Sequence, residues 1–237
     1  MSGKNPLDVR ATFTFLRGLR DNNTREWFAA NRAVYDEQIK VQFEDFVAGL
    51  LIEGTRYEPR FAHIEPRRCI FRIYRDVRFS NDKSPYKPRI SAFLSPQGWR
   101  GSTPGFYVAL EPGGESIVAA GIYVPEKPTL LALRARFIAA DNDFEKLVRA
   151  KTFRKYLPLE TDPLKRLPRD IDASHPNSEL IRARRYMVRR RYTDTELTSG
   201  DAFADFRLAM RETAPLVAWL DQFVSSGPVP TEDEEWD

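Results

Sequence analysis

Residues 71–87 constrain this chain most, because charged and aromatic residues are interleaved there in one short run, FRIYRDVRFSNDKSPYK. The run holds three Arg, two Lys and two Asp among four aromatic residues. An isolated charge is costly to bury, so charges within an apolar segment must pair with each other or bind a ligand. We predict that these residues, called the charged run below, begin as a strand and end as a turn-rich loop at a binding site.

Arg75 decides how the charged run is built. A regular strand would place its side chain on the same face as the apolar residues of the run. Either a bulge near Arg75–Asp76 turns it outward, or Arg75 is buried and paired with Asp82 or Asp76. Because arginine suits bidentate recognition of phosphate and carboxylate, we predict an anion-binding site here. Its candidate cations are Arg72, Arg75, Arg78, Lys83 and Lys87.

Further residues are expected to complete this site from the loop itself, from the second helix and from an irregular proline-rich segment. They are Asp76, Asp82, Ser84, Tyr86, Trp27, Asn31, Arg32, Lys165 and His175. The two aspartates could hold a divalent cation or pair with arginines, and the local excess of cations favours pairing over a metal site. The residues indicate no particular cofactor and no catalytic group, and the run could instead only lock the sheet to its neighbours.

The composition is that of a globular protein with one large domain. The chain has 237 residues, of which 42% are hydrophobic and 30% are charged. Its single cysteine, Cys69, excludes an internal disulfide, fits a reducing compartment and is expected to be buried and unreactive. No segment has the apolar length of a membrane span, and the first residues lack the apolar core of a signal peptide. We therefore expect a soluble cytoplasmic protein without a membrane partner.

Charge is distributed unevenly along the chain. The net charge is +3, but residues 231–237 hold five acidic residues and no basic one, which leaves +8 on the rest. Residues 56–100 hold eleven Lys or Arg against four Asp or Glu, and residues 165–191 hold nine against three. Such segments can bind nucleic-acid phosphates. Three functions stay open: a pocket for a phosphate- or carboxylate-bearing small molecule that could also be catalytic, a nucleic-acid-associated protein, and a non-catalytic scaffold.

The hydrophobic pattern predicts an α+β fold in a single domain, with an antiparallel sheet packed against long N-terminal helices and a C-terminal helix. A capping box of Asn23 and Glu26 starts a helix that runs to about Glu53 with a kink near residues 40–42. Other helices are predicted at 12–19, 128–140, 143–150, 178–183 and 203–223. Strands are predicted at 69–79, 89–95, 106–111 and 116–124, with a hairpin turn at Pro112–Gly114. Residues 184–191 are predicted to form a basic strand or an extended segment. Residues 1–10 are expected to be a flexible lead, 11–225 the domain, and 226–237 an acidic disordered tail.

Several motifs accompany the charged run. They are Asn22–Phe28, Asn31–Arg32, Tyr35, Gly105–Tyr107, Glu111–Gly114, Gly121–Pro125, Leu164–Pro168 and His175–Pro176. On these motifs, from about Thr12 to Phe223, the chain resembles a family of conserved bacterial and fungal proteins known only as a domain of unknown function. The resemblance implies a single soluble α+β domain with its site at the charged run, and it implies no activity. Residues 184–191 are more basic than the family pattern.

Overall fold

A four-stranded antiparallel sheet organises the protein. The computed structural model describes residues 7–78, 81–96, 102–139, 143–156, 158–168 and 171–224. The strands in these ranges are β1 (Ile90–Leu94), β2 (Gly105–Leu110), β3 (Ser116–Ile122) and β4 (Tyr186–Tyr192), and each pairs with the next in the order β1-β2-β3-β4. The predicted turn at Pro112–Gly114 connects β2 to β3, and it is tight because Gly113 and Gly114 both adopt positive φ.

Helices account for most of the remaining described residues. They are α1 (Val9–Asp21), α2 (Arg25–Val34), α3 (Lys40–Gly54), α4 (Pro66–Cys69), α5 (Lys127–Ile138), α6 (Asp143–Arg149), α7 (Ser178–Arg182), α8 (Asp194–Ser199) and α9 (Ala202–Asp221), with 3₁₀ turns at Pro59–His63 and Lys151–Tyr156. A π-helical turn, Tyr35–Ile39, joins α2 directly to α3. Among the described helices, none is long and apolar enough to cross a membrane.

The core lies on one face of the sheet. Helix α9 packs against β2 and β3, and α3 packs against α9 and β1. Val108, Val118 and Val188 point into this core and are buried, while Phe46 and Phe206 join α3 to α9 with their ring centroids 5.5 Å apart. Alternate residues of each strand face the other way, where the larger side chains, such as Phe93, Tyr107 and Met187, remain partly exposed. The α+β single-domain prediction is confirmed, and the described residues leave this second, open face of the sheet accessible.

The charged run differs most from its prediction. The strand predicted at 69–79 is wrong: Pro66–Cys69 form a helical turn, and the described residues that follow, 70–78, make only the isolated bridges Ile70↔Ala92 and Tyr74↔Tyr86. The Phe71 amide still donates to the Ser91 carbonyl of β1, whereas the second bridge joins the run to itself from Ile73 onward. The fourth strand of the sheet is β4. Of the two structures predicted for residues 184–191, a strand or an extended segment, the strand is therefore the one that forms.

Several element boundaries also differ. Thr24 caps α2, accepting a hydrogen bond from the Trp27 amide at 3.2 Å, so the predicted Asn23 capping box is wrong. The predicted long helix is interrupted by the π turn, just before the expected kink. Helix α1 begins inside the segment predicted as a lead, because Leu7 and Val9 are buried in the core. The predicted tail at 226–237 lies outside the described residues.

Candidate functional site

The charged run folds back on itself as a narrow loop. The Arg75 amide donates to the Pro85 carbonyl and the Lys87 amide to the Ile73 carbonyl, both at 2.8 Å. Asn23 fixes this loop to the start of α2: its side-chain amide donates to the Tyr86 carbonyl at 3.0 Å, and its oxygen accepts from the Tyr86 amide at 3.1 Å. The loop is therefore held by backbone hydrogen bonds at both of its arms.

Most charges of the loop pair within the loop. Arg75 Nη1 lies 2.8 Å from Asp82, so the predicted partner is found, although the Arg75 side chain is 27% exposed and not buried as that arrangement required. Hydrogen bonds from Ser84, and then the charge of Arg75, hold the pKa of Asp82 below its usual value. The same arginine buries its Nε, which has no partner among the described residues. These contacts fix the Arg75 side chain in place.

The charged side chains of Asp76, Arg78 and Lys83 also form their hydrogen bonds within the loop. Asp76 accepts hydrogen bonds from the Arg78 guanidinium at 3.1 and 3.2 Å, and these bonds lower its pKa. Lys83 donates to the Val77 carbonyl at 2.9 Å. Asp76, Asp82 and Ser84 therefore act as partners inside the loop. Within the described ranges, no three His, Cys, Asp or Glu side chains cluster closely enough to hold a metal ion.

Beside this loop, the open face of the sheet forms a groove of about 610 Å³, called the sheet-face groove below. Its floor includes a row of paired residues that crosses all four strands: Phe93, Tyr107, Ala119 and Arg189. Gly121 also lies on the floor, with φ of +129°, and a Cβ there would sit 2.0 Å from the Tyr186 carbonyl oxygen. Small residues in the middle strands thus leave a hollow between bulkier edges.

Cations stand at the edges of this hollow. Lys87 and Arg89 flank the start of β1, while Arg185 and Arg189 belong to the opposite edge at β4. Among the described residues that line the groove, Glu160 is the single carboxylate, and it pairs with Arg189. The lining therefore carries four positive charges against one negative charge over an apolar floor.

The ion pairs of these arginines lie near the surface and hold them weakly. Arg89 is 3.6 Å from Glu111, whose pKa is nevertheless raised, chiefly by burial. Arg185 pairs with Asp162 at 3.0 Å, and its guanidinium lies 4.3 Å from the centre of the Tyr123 ring. Exposed pairs of this kind contribute about 0–1 kcal/mol each, so a bound anion can compete for the arginines.

The charged run contributes Phe71 and Lys87 to the groove, and Lys87 is the charged one of the two. Its ammonium donates to the Arg72 carbonyl at 3.2 Å and lies 6.0 Å from the centre of the Phe71 ring. Burial, followed by the charges of Arg89, Arg72 and Arg75, lowers the pKa of this ammonium. A partly desolvated cation among other cations is a favourable partner for an anion.

Comparison with known proteins places the chain in a family. The family model described as a conserved hypothetical protein, DUF2461, matches residues 11–219. The chain belongs to this family. No curated protein and no solved structure matches the chain significantly. The DUF2461 match covers the charged run and all four strands that form the groove.

In this DUF2461 protein, helix α2 contacts the loop through Phe28, which is not among the predicted site residues. Tyr86 stacks on Phe28 of α2 with ring centroids 4.2 Å apart. Trp27 packs against α1, Asn31 donates to the Trp27 carbonyl at 2.8 Å, and Arg32 pairs with Asp36 at 3.1 Å. The three predicted residues Trp27, Asn31 and Arg32 thus make these contacts with α1, α2 and the π turn.

Two predicted site residues lie elsewhere. His175 is bonded to the Ile138 carbonyl at the end of α5 and accepts from the Asn177 amide beside α7. Lys165 is exposed and lines neither the sheet-face groove nor the groove beside α2 described below. Cys69 is buried as predicted, and burial raises the pKa of its thiol to about 12.

The groove also contains residues that the sequence did not single out. Phe93, Tyr107 and Tyr123 come from three different segments, and nothing in their local sequence distinguishes them from core aromatics. Their signal lies in parity, because Phe93 and Tyr107 alternate with fully buried strand residues. Arg185 and Arg189 fall in the basic segment noted above, and strand parity places Arg189 on the open face.

Proposed function

We propose that this protein binds a phosphate- or carboxylate-bearing small molecule in the sheet-face groove. The observation that carries the proposal is the placement of Lys87, Arg89, Arg185 and Arg189 around an apolar floor, with Glu160 as the single carboxylate in the described lining. The groove is concave and of the size usual for small-molecule sites. Its ligand would place an anionic group at the edge and a flat apolar part on the floor.

The proposal redistributes the roles predicted within the charged run. Lys87 contacts the anion directly, together with the arginines of the groove. Arg75, Arg78 and Lys83, which are bonded to Asp82, Asp76 and a backbone carbonyl, hold the loop that presents Lys87. Preorganised cations of this kind bind an anion without first having to be ordered. The proposal assigns binding and no reaction.

A thermal-shift screen of phosphorylated metabolites, nucleotides and carboxylic acids tests this proposal. We expect some of these anions to raise the melting temperature of the wild type, and the rise to be lost in Lys87→Met. Lys165→Met is the control, because Lys165 is exposed and lines neither groove. At a ligand concentration of about 100 times Kd the stabilisation is about 2.7 kcal/mol.

Each outcome of the screen bears on the proposal. Stabilisation that survives in the Lys165 variant and disappears in the Lys87 variant supports binding at the groove. Equal responses of the two variants would place the anion elsewhere. Absence of stabilisation by every anion, with both variants melting like the wild type, would leave the groove without the proposed role and favour the scaffold alternative.

A further inference from the structure

A second groove lies on the other side of Phe71, between α2, the π turn, α3 and residues 67–74. It has a volume of about 550 Å³ and is called the helix-side groove below. Its charged lining residues are Arg32, Lys40, Arg67, Arg68 and Arg72, against the carboxylates Asp36 and Glu44. Like the sheet-face groove, it therefore carries an excess of three positive charges among its described lining residues.

The two grooves meet at a shared wall. Phe71 lines both of them, and Arg72 of the helix-side groove accepts a hydrogen bond at its carbonyl from Lys87 of the sheet-face groove. The two grooves thus share Phe71 and are connected by the Lys87–Arg72 hydrogen bond. The three residues at this junction, Phe71, Arg72 and Lys87, include no carboxylate that would repel a phosphate passing from one groove to the other.

Aromatic rings are exposed in each groove. Tyr74 in the helix-side groove is 46% exposed, and Tyr123 in the sheet-face groove is 51% exposed. Each ring is supported on one side: Tyr74 packs against Tyr86 at 5.3 Å, and Arg185 lies 4.3 Å from the ring centre of Tyr123. Fixed, exposed rings beside cations are the elements with which proteins stack the bases of a single strand.

The dimensions favour an extended ligand. The floor row from Phe93 to Arg189 crosses four strands, which corresponds to about 14 Å at the usual strand spacing. The helix-side groove lies beyond the β1 edge of this row and adds to its length. A double helix covers the faces of its bases, so it cannot use exposed tyrosines in this way.

We propose that the two grooves together bind single-stranded nucleic acid, with bases on the aromatic side chains and phosphates on the arginines and lysines. This inference rests on the proposed function, because it uses the sheet-face groove as one half of the surface. It adds a partner class and a second subsite, at which Arg72 and Tyr74 contact the strand.

Fluorescence anisotropy with labelled oligothymidylates of about 4 and about 12 nucleotides tests the inference. We expect the longer strand to bind more tightly, and Arg72→Ala and Tyr74→Ala each to weaken it about tenfold. Neither variant should change the stabilisation by small anions at the sheet-face groove. Arg56→Ala is the control, because Arg56 is exposed and lines neither groove.

The outcomes separate the inference from the proposed function. If the longer strand binds no more tightly than the shorter, or if Arg72→Ala leaves its affinity unchanged, the inference is wrong, while anion stabilisation that depends on Lys87 would still support the proposed function. Equal affinity for a duplex, or equal competition by polyglutamate, would show unspecific polyanion binding and would also overturn it.

Discussion

Lys87 is the charged residue with which the charged run lines the sheet-face groove. Its pKa is lowered from the ordinary value of 10.5 by burial and by the charges of Arg89, Arg72 and Arg75. The folded protein therefore releases this proton at a lower pH than the unfolded chain. Between the two pKa values the unfolded chain binds more protons, so the contribution of Lys87 to the free energy of unfolding rises with pH in that window.

We expect anion affinity to show the opposite trend, because the anion needs the protonated ammonium. Affinity should fall as pH rises towards 10.5, and binding should take up protons there because the anion raises the pKa of Lys87. Titration calorimetry with the most stabilising anion, in buffers of different ionisation enthalpy, measures both effects. In Lys87→Arg the charge persists and affinity should stay level; an equal fall in this variant would exclude Lys87 as the cause.

At the scale of elements, Asn23 connects the charged run to α2. The Asn23 side chain forms hydrogen bonds with both the amide and the carbonyl of Tyr86, as a neighbouring strand would do. Tyr86 immediately precedes Lys87, so this connection also sets where the lysine enters the groove. The conformation of the run thus depends on one side chain from a distant part of the sequence.

We expect Asn23→Ala to destabilise the protein by about 2–4 kcal/mol, because it leaves two backbone groups of partly buried Tyr86 unpaired. The melting temperature should fall by about 2–4 °C for each kcal/mol. Asn22→Ala is the control, since that exposed side chain bonds only the Gly18 carbonyl at the end of α1. Equal losses in the two variants would mean that the connection to Tyr86 has no special weight.

Local chemistry determined how much of the fold the sequence predicts. The Pro112–Gly114 turn between two apolar segments predicts the β2–β3 hairpin, because the turn residues and the strand pattern agree. The alternation of apolar and polar residues at 69–79 led to the prediction of a strand that the structure lacks. Such alternation indicates which side chains share a face, but it does not indicate which segment the backbone hydrogen-bonds to. From Ile73 onward, the partner of the charged run is the run itself, aided by Asn23.

The site was predictable only in part for a related reason. The dense charge of residues 71–87 led to the prediction of a site there, and Lys87 does line the groove. Much of the rest of the lining comes from the four strands, and register brings Phe93 of β1 and Arg189 of β4 into one row although they are far apart in sequence. No window of sequence displays such a row, so it emerges only when the strand order is known.

At the scale of the whole molecule, the charge of the chain is divided between a basic body and an acidic end. Residues 231–237 hold five of the acidic residues, and the net charge of the remainder is +8 instead of +3. Acidic residues on the same chain compete with polyanions for its cations, and this competition is strongest at low salt, where screening is weak.

Removal of residues 226–237 should therefore strengthen binding of the longer oligothymidylate, and the gain should shrink as salt rises. Anisotropy titrations of the full chain and the truncated chain at several salt concentrations measure this. The truncation raises the net charge of the chain, which attracts phosphates, and leaves the grooves unchanged. A variant with the five acidic residues replaced by Gln and Asn keeps the length of the segment and should behave like the truncation. If only the truncation strengthens binding, the segment acts by occupying space and not by charge; if neither does, it serves solubility alone.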